Sequence, residues 1–371
     1  MKEKSFFAKF CNQVLIGSVL FGTLVGAGFA SGKETWYYFA SFGTMGYVSI
    51  GIAAITFFLC ALLFMNFGRK MGIKSVQDMN KSMFGKGAIL GEFALVFCNL
   101  ILLASMFAAA NSLFDIVVPD TIYRYASVIT AVITLLIVCF GFKGITKVNL
   151  LVVPLMIAVL IVTLVASLNH PQTYLAVNNF EVINIVESLV YCVLFISSNM
   201  FFAGFIFAKL GKEYSKSETV GGSLIGAVFL TISLVAMALT LNLNPQYNAS
   251  DMPLVSIANN LSYEFSIFVL VVIWISLLTT AVALLYTITN WLKTYFGGTF
   301  FAALTAVLLA MILSGFGFAS FVTYVYPVFG IVGLIYIAIL AKINNKKSKI
   351  IKETEKVETA ETTNTNTVTQ S

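Results

Sequence analysis

The sequence predicts an all-α membrane protein that crosses the bilayer about ten times, and three observations lead to that prediction. Of the 371 residues, 59% are hydrophobic and only 10% are charged, with a mean hydropathy of +0.94. A soluble domain is roughly 45–50% apolar and about 25% charged. Apolar runs of about 20 residues, long enough to cross ~30 Å of hydrocarbon, recur along the chain. Basic residues are concentrated in alternate connections between these runs.

The first half of the chain, about residues 11–168, contains five predicted spans. The first span is too long for one straight crossing and is interrupted by glycines. The five spans are Cys11–Phe42, Met45–Phe67, Ala88–Val118, Tyr125–Phe142 and Val148–Leu168.

The second half, about residues 182–342, contains five more predicted spans, and we number all of them 1 to 10 in chain order. They are Val182–Leu210, Thr219–Leu241, Glu264–Lys293, Thr299–Phe316 and Phe318–Lys342. The connection Asn242–Ser262 is long enough to hold a short helix. Residues 1–342 are therefore predicted to form one transmembrane domain. Residues 343–371 are rich in Lys, Glu, Thr and Asn and are predicted to be a disordered cytoplasmic tail.

Positive charge predicts the orientation of the spans, because Lys and Arg are enriched on the cytoplasmic side. With both termini in the cytoplasm, the cytoplasmic segments hold all but two of the 22 Lys and Arg residues. The exceptions are Arg124, which is predicted to be outside, and Lys33, which lies in the interrupted part of span 1. The net charge of +6 therefore needs no nucleic acid to explain it, and the predicted location is the bacterial plasma membrane.

Span 1 contains four glycines in eleven positions, from Gly22 to Gly32, followed directly by Lys33 and Glu34. Each glycine lowers helix stability by ~1 kcal/mol relative to alanine. Inside a bilayer, an interrupted helix is tolerated only where its backbone faces protein or a wet cavity. The sequence therefore predicts a break in span 1 whose free backbone groups hold a ligand.

Two sets of five spans have opposite orientations, because an odd number of spans separates corresponding members. This is the arrangement of inverted-repeat transporters, whose sites lie at discontinuous helices near the midplane. The sequence therefore predicts a 5+5 inverted repeat in which spans 1 and 6 are both discontinuous. Span 6 contains consecutive polar residues, Ser197, Ser198 and Asn199, halfway across the membrane. The alternative is that these side chains only join helices by hydrogen bonds.

The stretch Gly22-Thr23-Leu24-Val25-Gly26-Ala27-Gly28 resembles the unwound first helix of LeuT-fold transporters. Its continuation to Glu34 resembles the hallmark of the YkvI-like family of bacterial membrane proteins, which is related to the amino acid–polyamine–organocation superfamily. The resemblance in helix order extends over nearly the whole chain except the tail. It implies a secondary transporter that works by alternating access.

The resemblance also implies a sodium site between spans 1 and 8. Its ligands are the carbonyls of Gly22, Val25 and Ser276 and the hydroxyls of Thr279 and Thr280. The three span 8 residues share one helical face, because they stand at i, i+3 and i+4. The alternative is that each threonine hydroxyl bonds a carbonyl of its own helix.

The substrate site implied by the same resemblance joins the break of span 1 to span 6. The substrate-binding candidates are Ala27, Gly28, Phe29, Phe195, Ser198, Asn199 and Phe201. Lys33, Glu34 and Glu187 are candidates for gating or proton coupling, because charged groups at membrane depth are usually paired or functional.

The function predicted from these features is transport of a small organic solute, such as an amino acid, coupled to Na⁺. The alternatives are proton coupling and a receptor for a small metabolite that uses the transporter fold without net transport. No enzyme is predicted, because nucleotide-binding and HExxH motifs are absent and the lone His170 has no clustered partners. No resident cofactor and no disulfide or metal site of the five cysteines is expected. The partners expected are the lipid bilayer and the solute, and the sequence does not predict an oligomeric state.

Overall fold

A computed structural model describes residues 6–118, 125–140, 145–169 and 182–345. The first half contains α1 to α8, and the break in span 1 separates α1 from α2. Their bounds are Phe6–Leu24, Ala27–Ser31, Lys33–Tyr38, Thr44–Met71, Val76–Phe84, Ala88–Asp115, Ala126–Phe140 and Ile145–Asn169. Arg124 and His170, named in the sequence analysis, lie outside the described residues, as does the tail beyond residue 345.

The second half contains α9 to α14. Their bounds are Val182–Glu213, Lys216–Leu243, Pro253–Leu261, Tyr263–Phe296, Thr299–Ser314 and Phe318–Asn345. The short helix expected between spans 7 and 8 is α11, which begins at Pro253 because proline is preorganised for a first helical position. The last helix, α14, contains a π-helical turn over Phe321–Val325.

The helices agree with the predicted membrane class. In the part of the chain that the structure describes, eight helical segments are long and apolar enough to cross a membrane. The shorter apolar helices α7 and α13 coincide with predicted spans 4 and 9. Spans 1 to 10 therefore correspond to α1–α3, α4, α6, α7, α8, α9, α10, α12, α13 and α14. The protein is a polytopic all-α membrane protein.

The contacts between helices follow the pattern expected if the two sets of five spans are related by a pseudo-two-fold axis. Such an axis exchanges span 1 with span 6 and span 2 with span 7, so a contact of span 1 with span 7 implies one of span 6 with span 2. Both contacts are present, as α1 on α10 and α9 on α4. The contact of α6 with α13 likewise has its counterpart in the contact of α12 with α7.

Glycines allow close approach at both of these paired interfaces. A Cβ at Gly68 would lie 1.8 Å from the Ala208 carbonyl oxygen, and one at Gly211 would lie 2.0 Å from that of Met65, so α4 and α9 meet backbone to backbone. A Cβ at Gly17 of α1 would lie 3.0 Å from the Gly226 amide nitrogen of α10. Small residues of this kind allow membrane helices to pack closely without a hydrophobic driving force.

The prediction that span 6 is discontinuous is wrong for this structure, because α9 runs without interruption from Val182 to Glu213. Its polar residues bond carbonyls of their own helix. The hydroxyl of Ser198 and the amide nitrogen of Asn199 both donate to the Phe195 carbonyl, at 2.9 and 2.8 Å. A polar side chain that bonds the preceding turn satisfies its own donor and leaves the helix intact.

Candidate functional site

The interruption of span 1 begins where α1 ends, at Leu24. Gly26 adopts an extended conformation with φ −90° and ψ −175°. Its amide donates to the Leu24 carbonyl at 2.9 Å, two residues back. In a continuous helix that amide would bond the Gly22 carbonyl, four residues back. The turn therefore directs the backbone out of the helical pattern between Gly22 and Gly26.

A second interruption follows at Gly32, between α2 and α3. Gly32 has φ +86°, in the left-handed region that favours glycine. This residue redirects the chain so that α3 turns Glu34 and Tyr38 back toward the first break. Span 1 is therefore built from one long helix, α1, and two short helices, α2 and α3, rather than from one continuous helix.

A cavity of about 60 Å³ lies beside the first break. Walls come from span 1 and from spans 3, 6, 8 and 10, so both halves of the fold contribute. The lining residues are Thr23, Leu24, Gly26, Gly28, Glu34, Tyr38, Leu102, Met106, Phe195, Ser198, Asn199, Phe202, Thr280, Tyr326 and Phe329. A cavity of this size holds a few water molecules and is smaller than the ~300 Å³ of a typical ligand pocket.

Four of the predicted substrate residues line the cavity: Gly28, Phe195, Ser198 and Asn199. Phe201 does not. It packs against Tyr336 with ring centroids 5.5 Å apart, while its neighbour Phe202 lines the cavity. Helix geometry explains the difference, because each residue turns the helix by about 100°. Six residues from Phe195 to Phe201 amount to ~600°, which is ~120° off the starting face, whereas seven residues return to within ~20° of it.

Phe29 also lies away from the cavity, although it was predicted to contact substrate. The side chain is fully buried and meets Phe21 edge to face, with ring centroids 6.0 Å apart. The ring therefore packs the short α2 onto α1. Ala27 opens α2, but its side chain is outside what the structure describes.

One of the predicted cation ligands of span 8, Ser276, contacts the carbonyl of Val25 at the first break. The Ser276 hydroxyl donates to the Val25 carbonyl oxygen at 3.0 Å. The hydroxyls of Thr279 and Thr280 both donate to the Ser276 carbonyl, at 2.8 and 3.1 Å. Both threonine hydroxyls thus bond a carbonyl of their own helix, as the alternative interpretation expects, and Ser276 joins that carbonyl to Val25. We call these oxygen atoms the oxygen cluster, and Thr280 also lines the cavity. Gly22 lies one turn before Val25 in α1.

Glu34 lies in the cavity wall and is only 7% exposed. Its carboxylate packs against the backbone of Gly28, where an added Cβ would lie 1.8 Å from Oε1. The phenol groups of Tyr38 and Tyr326 line the same cavity. Glycine at position 28 is therefore required for the carboxylate to reach this place.

The other two charged candidates do not line the cavity. The Lys33 ammonium donates to the carbonyls of Ala249 and Ser250, at 3.3 and 2.9 Å, in the connection before α11. Glu187 is exposed on α9. Lys33 thus ties α3 to the segment between spans 7 and 8.

Sequence reasoning missed the cavity residues that come from spans 3 and 10. Leu102 and Met106 of α6 stand one turn apart, but the same spacing occurs throughout this apolar chain. Tyr326 and Phe329 follow the π-helical turn of α14, which shifts the helix face by one residue and has no marker in the sequence. Phe202 was detectable from its seven-residue spacing to Phe195.

The chain is similar to two proteins of Bacillus subtilis (strain 168). It is 29% identical over 272 residues to "Uncharacterized membrane protein YkvI", with 72% of this chain and 77% of the relative covered. It is 21% identical over 309 residues to "Uncharacterized protein YyaD", with 82% and 88% covered. No family model matches the sequence. The similarity to YkvI confirms the resemblance expected from the glycine-rich stretch of span 1.

Solved transporter structures share the fold. The inward-facing conformation of Mhp1 aligns with a TM-score of 0.65 at 12% identity, over 88% of this chain and 75% of that one. MhsT in complex with L-phenylalanine aligns with a TM-score of 0.65 at 14% identity, over 90% and 91%. A manganese transporter of Eremococcus coleocola aligns with a TM-score of 0.55 at 14% identity, over 93% and 87%. These likenesses confirm the LeuT-type fold.

Proposed function

We propose that this protein is a secondary active transporter that moves a small organic solute, such as an amino acid, across the bacterial plasma membrane by alternating access, coupled to Na⁺. The observation that supports this proposal most is the position of Thr280. Its side chain belongs to the oxygen cluster at the break of span 1 and also lines the cavity. A cation in the cluster and a solute in the cavity would therefore share a residue, which would link their binding.

The oxygen cluster suits a hard monovalent cation. Val25 and Ser276 contribute carbonyls, while Thr279 and Thr280 contribute hydroxyls, so the cluster carries no formal charge. Bound Na⁺ would replace the hydrogen bonds that these groups now make to one another. The Gly22 carbonyl is the proposed fifth ligand, because the Gly26 amide that would occupy it in a helix bonds Leu24 instead. Na⁺ entering the cell gains ~2.3 kcal/mol per 100 mV of membrane potential.

The proposed solute site combines exposed backbone with side chains of the unbroken span 6. Gly26 and Gly28 present backbone to the cavity, and Ser198 and Asn199 present polar side chains. Both side chains now bond the Phe195 carbonyl, so a solute would take over or supplement these bonds. The cavity at its present size requires the walls to separate for a solute to enter, which is what alternating access provides.

Uptake into proteoliposomes tests the proposal. We expect concentrative uptake that collapses when the Na⁺ gradient is dissipated, and we expect the Thr279→Ala/Thr280→Ala variant to lose it. The apparent affinity for Na⁺ of this variant should fall about tenfold or more, since two of the ligands are gone. Thr287→Ala is the matched control, because the Thr287 hydroxyl bonds a carbonyl of the same helix at an exposed position.

Unaltered sodium dependence in the double variant would contradict the ion site. Solute binding without uptake would contradict transport and favour a receptor. Labelling of the exposed Cys11 from either side of the membrane tests the proposed cytoplasmic N-terminus.

Proton coupling is the second candidate, and the position of Glu34 in the cavity wall favours it. A proton gradient in the absence of Na⁺ would then drive uptake, and Glu34→Gln would abolish the response to that gradient. Retained dependence on Na⁺ alone in the wild-type protein would exclude this second candidate.

A further inference from the structure

The carboxylate of Glu34 is the charged group of the cavity wall, and the protein supplies it with no counter-charge. The Glu34 carboxylate makes no hydrogen bond and no ion pair within the described residues. None of the described residues that line the cavity is Lys, Arg or His. The adjacent Lys33 points elsewhere and donates to the Ala249 and Ser250 carbonyls. A buried carboxylate without a partner is costly, so such a group takes up a proton until a cation or a hydrogen-bond donor reaches it.

Five aromatic rings line the same cavity as this carboxylate. Tyr38 and Phe195 pack together, with ring centroids 5.6 Å apart. Phe329 contacts both Phe202 and Tyr326, with ring centroids 5.2 and 6.1 Å apart. Aromatic faces attract ammonium groups, and a carboxylate combined with several rings is a chemistry that recognises organic cations.

The hydroxyl of Tyr38 is a second unpartnered group at the same place. Tyr38 is 1% exposed and lines the cavity, yet its hydroxyl oxygen has no hydrogen-bond partner among the described residues. The Tyr326 hydroxyl is already bonded to Ser105 at 2.9 Å. A phenol oxygen accepts a hydrogen bond from an ammonium as readily as it donates one to another acceptor. Two separate observations thus indicate a donor-rich ligand beside α3.

We propose that the solute is an organic amine, bound through its protonated amino group to Glu34 and Tyr38, with its apolar body among the aromatic rings. This inference rests on the proposed function, because it takes the cavity as the solute site. It predicts that the amino group of the solute is required and that a free carboxylate is not. A solute recognised mainly by a carboxylate would instead favour a basic side chain, and none of the described lining residues is Lys, Arg or His.

Matched probes that differ only in their charged group test the proposal on the purified full-length protein. One set is isobutylamine, L-valine and 3-methylbutanoate, and a larger set is 2-phenylethylamine, L-phenylalanine and 3-phenylpropionate. Within each set the apolar body is kept while the carboxylate or the amino group is removed. Apparent affinities come from the concentration dependence of thermal stabilisation, because a ligand that binds the folded state raises its stability.

We expect the amine of at least one set to bind about tenfold or more tightly than its matched acid, and we expect Glu34→Gln to remove that preference. Glu213→Gln is the control, since it deletes an equal charge from a half-exposed side chain at the end of α9. The proposal would be overturned if the acid of a set bound as tightly as its amine. It would also be overturned if neither of the two amines bound. The proposal attributes the preference for the amine to the charge of Glu34. A preference that Glu34→Gln leaves unchanged would therefore also overturn the proposal.

Failure of this inference is distinguishable from failure of the proposed function. Stabilisation of the probe-free protein by Na⁺, measured in the same samples, depends on the oxygen cluster and not on Glu34. Na⁺ stabilisation that persists unchanged in Thr279→Ala/Thr280→Ala, with the amine preference intact, would remove the coupling ion and leave the solute class standing. The reverse result would leave the coupling ion standing and remove the solute class.

Discussion

Spans 1 and 6 occupy corresponding places in the two halves, yet only span 1 is broken. Gly26 takes an extended conformation and its amide leaves the helical pattern. In α9 the side chains of Ser197, Ser198 and Asn199 each bond a carbonyl three or four residues back, and the helix continues. Polar side chains in a membrane helix are thus compatible with an intact helix. Glycines that free the backbone and provide no side chain to pack have the opposite effect.

Because of this difference, the two spans contribute different kinds of groups to the cavity. Span 1 contributes backbone at Gly26 and Gly28, and its carbonyl at Val25 faces the hydroxyl of Ser276. Span 6 contributes side chains on a rigid helix, from Phe195 to Phe202. Substitutions in span 1 should therefore act through lost space or altered backbone, whereas substitutions in span 6 should act through single hydrogen bonds.

The largest effect expected is that of Gly26→Leu on ligand binding. A Cβ at Gly26 meets nothing within 4 Å, and φ −90° is ordinary for any residue, so the fold should tolerate the change. The rest of the leucine side chain would fill the cavity. We expect the affinity for isobutylamine to fall about a hundredfold, or ~2.7 kcal/mol, with a near-normal melting temperature.

Gly51→Leu is the control for this variant, because Gly51 in α4 is exposed and also has nothing within 4 Å of an added Cβ. Normal binding by Gly26→Leu would mean that the broken backbone is not part of the ligand site. The break in span 1 would then have no role in ligand binding that the continuous span 6 lacks.

A smaller effect is expected for Gly32→Ala on the free energy of unfolding. The left-handed conformation at φ +86° costs a residue with a Cβ ~1–2 kcal/mol. The new Cβ would also lie 3.0 Å from the Met237 sulfur, which must shift. Thermal unfolding in detergent measures the loss.

Gly72→Ala separates the two contributions, because Gly72 has φ +64° and open space around an added Cβ. Gly32→Ala should be the more destabilising of the two variants. Equal losses would show that the second interruption of span 1 costs only backbone strain, without a packing requirement.

The smallest effects expected are those of Ser197→Ala and Ser198→Ala in span 6. Ser197 Oγ also contacts the Gly330 carbonyl oxygen of α14 at 2.7 Å, so its loss should destabilise the protein by ~0.6 kcal/mol and leave binding unchanged. Ser198 lines the cavity, so its loss should weaken binding a few-fold with little change in melting temperature. If Ser197→Ala instead weakened binding and Ser198→Ala instead lowered stability, the wrong face of α9 would have been assigned to the cavity.

Much of the fold was predictable because hydrocarbon thickness and charge distribution constrain membrane helices strongly. The break in span 1 was predictable for the same reason, since four glycines and two charges conflict with a continuous span. The expectation that span 6 is discontinuous was wrong because a run of polar residues does not reveal whether their side chains bond carbonyls of their own helix. In Ser198 and Asn199 they do.

The cavity was less predictable because it depends on three-dimensional proximity of five spans. The hydroxyls of span 8 share a face by spacing alone, but their approach to Val25 depends on how α12 packs on α2. The choice between Phe201 and Phe202 needed only helix geometry. Tyr326 depends on a π-helical turn, which arises from packing within α14 and is invisible in the sequence pattern.

The glycine interfaces that join α1 to α10 and α4 to α9 have a consequence for biosynthesis. Each interface pairs a helix made early with one made late, as with Gly17 and Gly226, which are about 200 residues apart. At ~5–20 residues per second, the ribosome needs roughly 10–40 s to cover that distance. During this interval the first two spans lie in the bilayer with their glycine grooves open to lipid. Nascent chains truncated before α9 should therefore be the substrates that membrane quality control removes fastest.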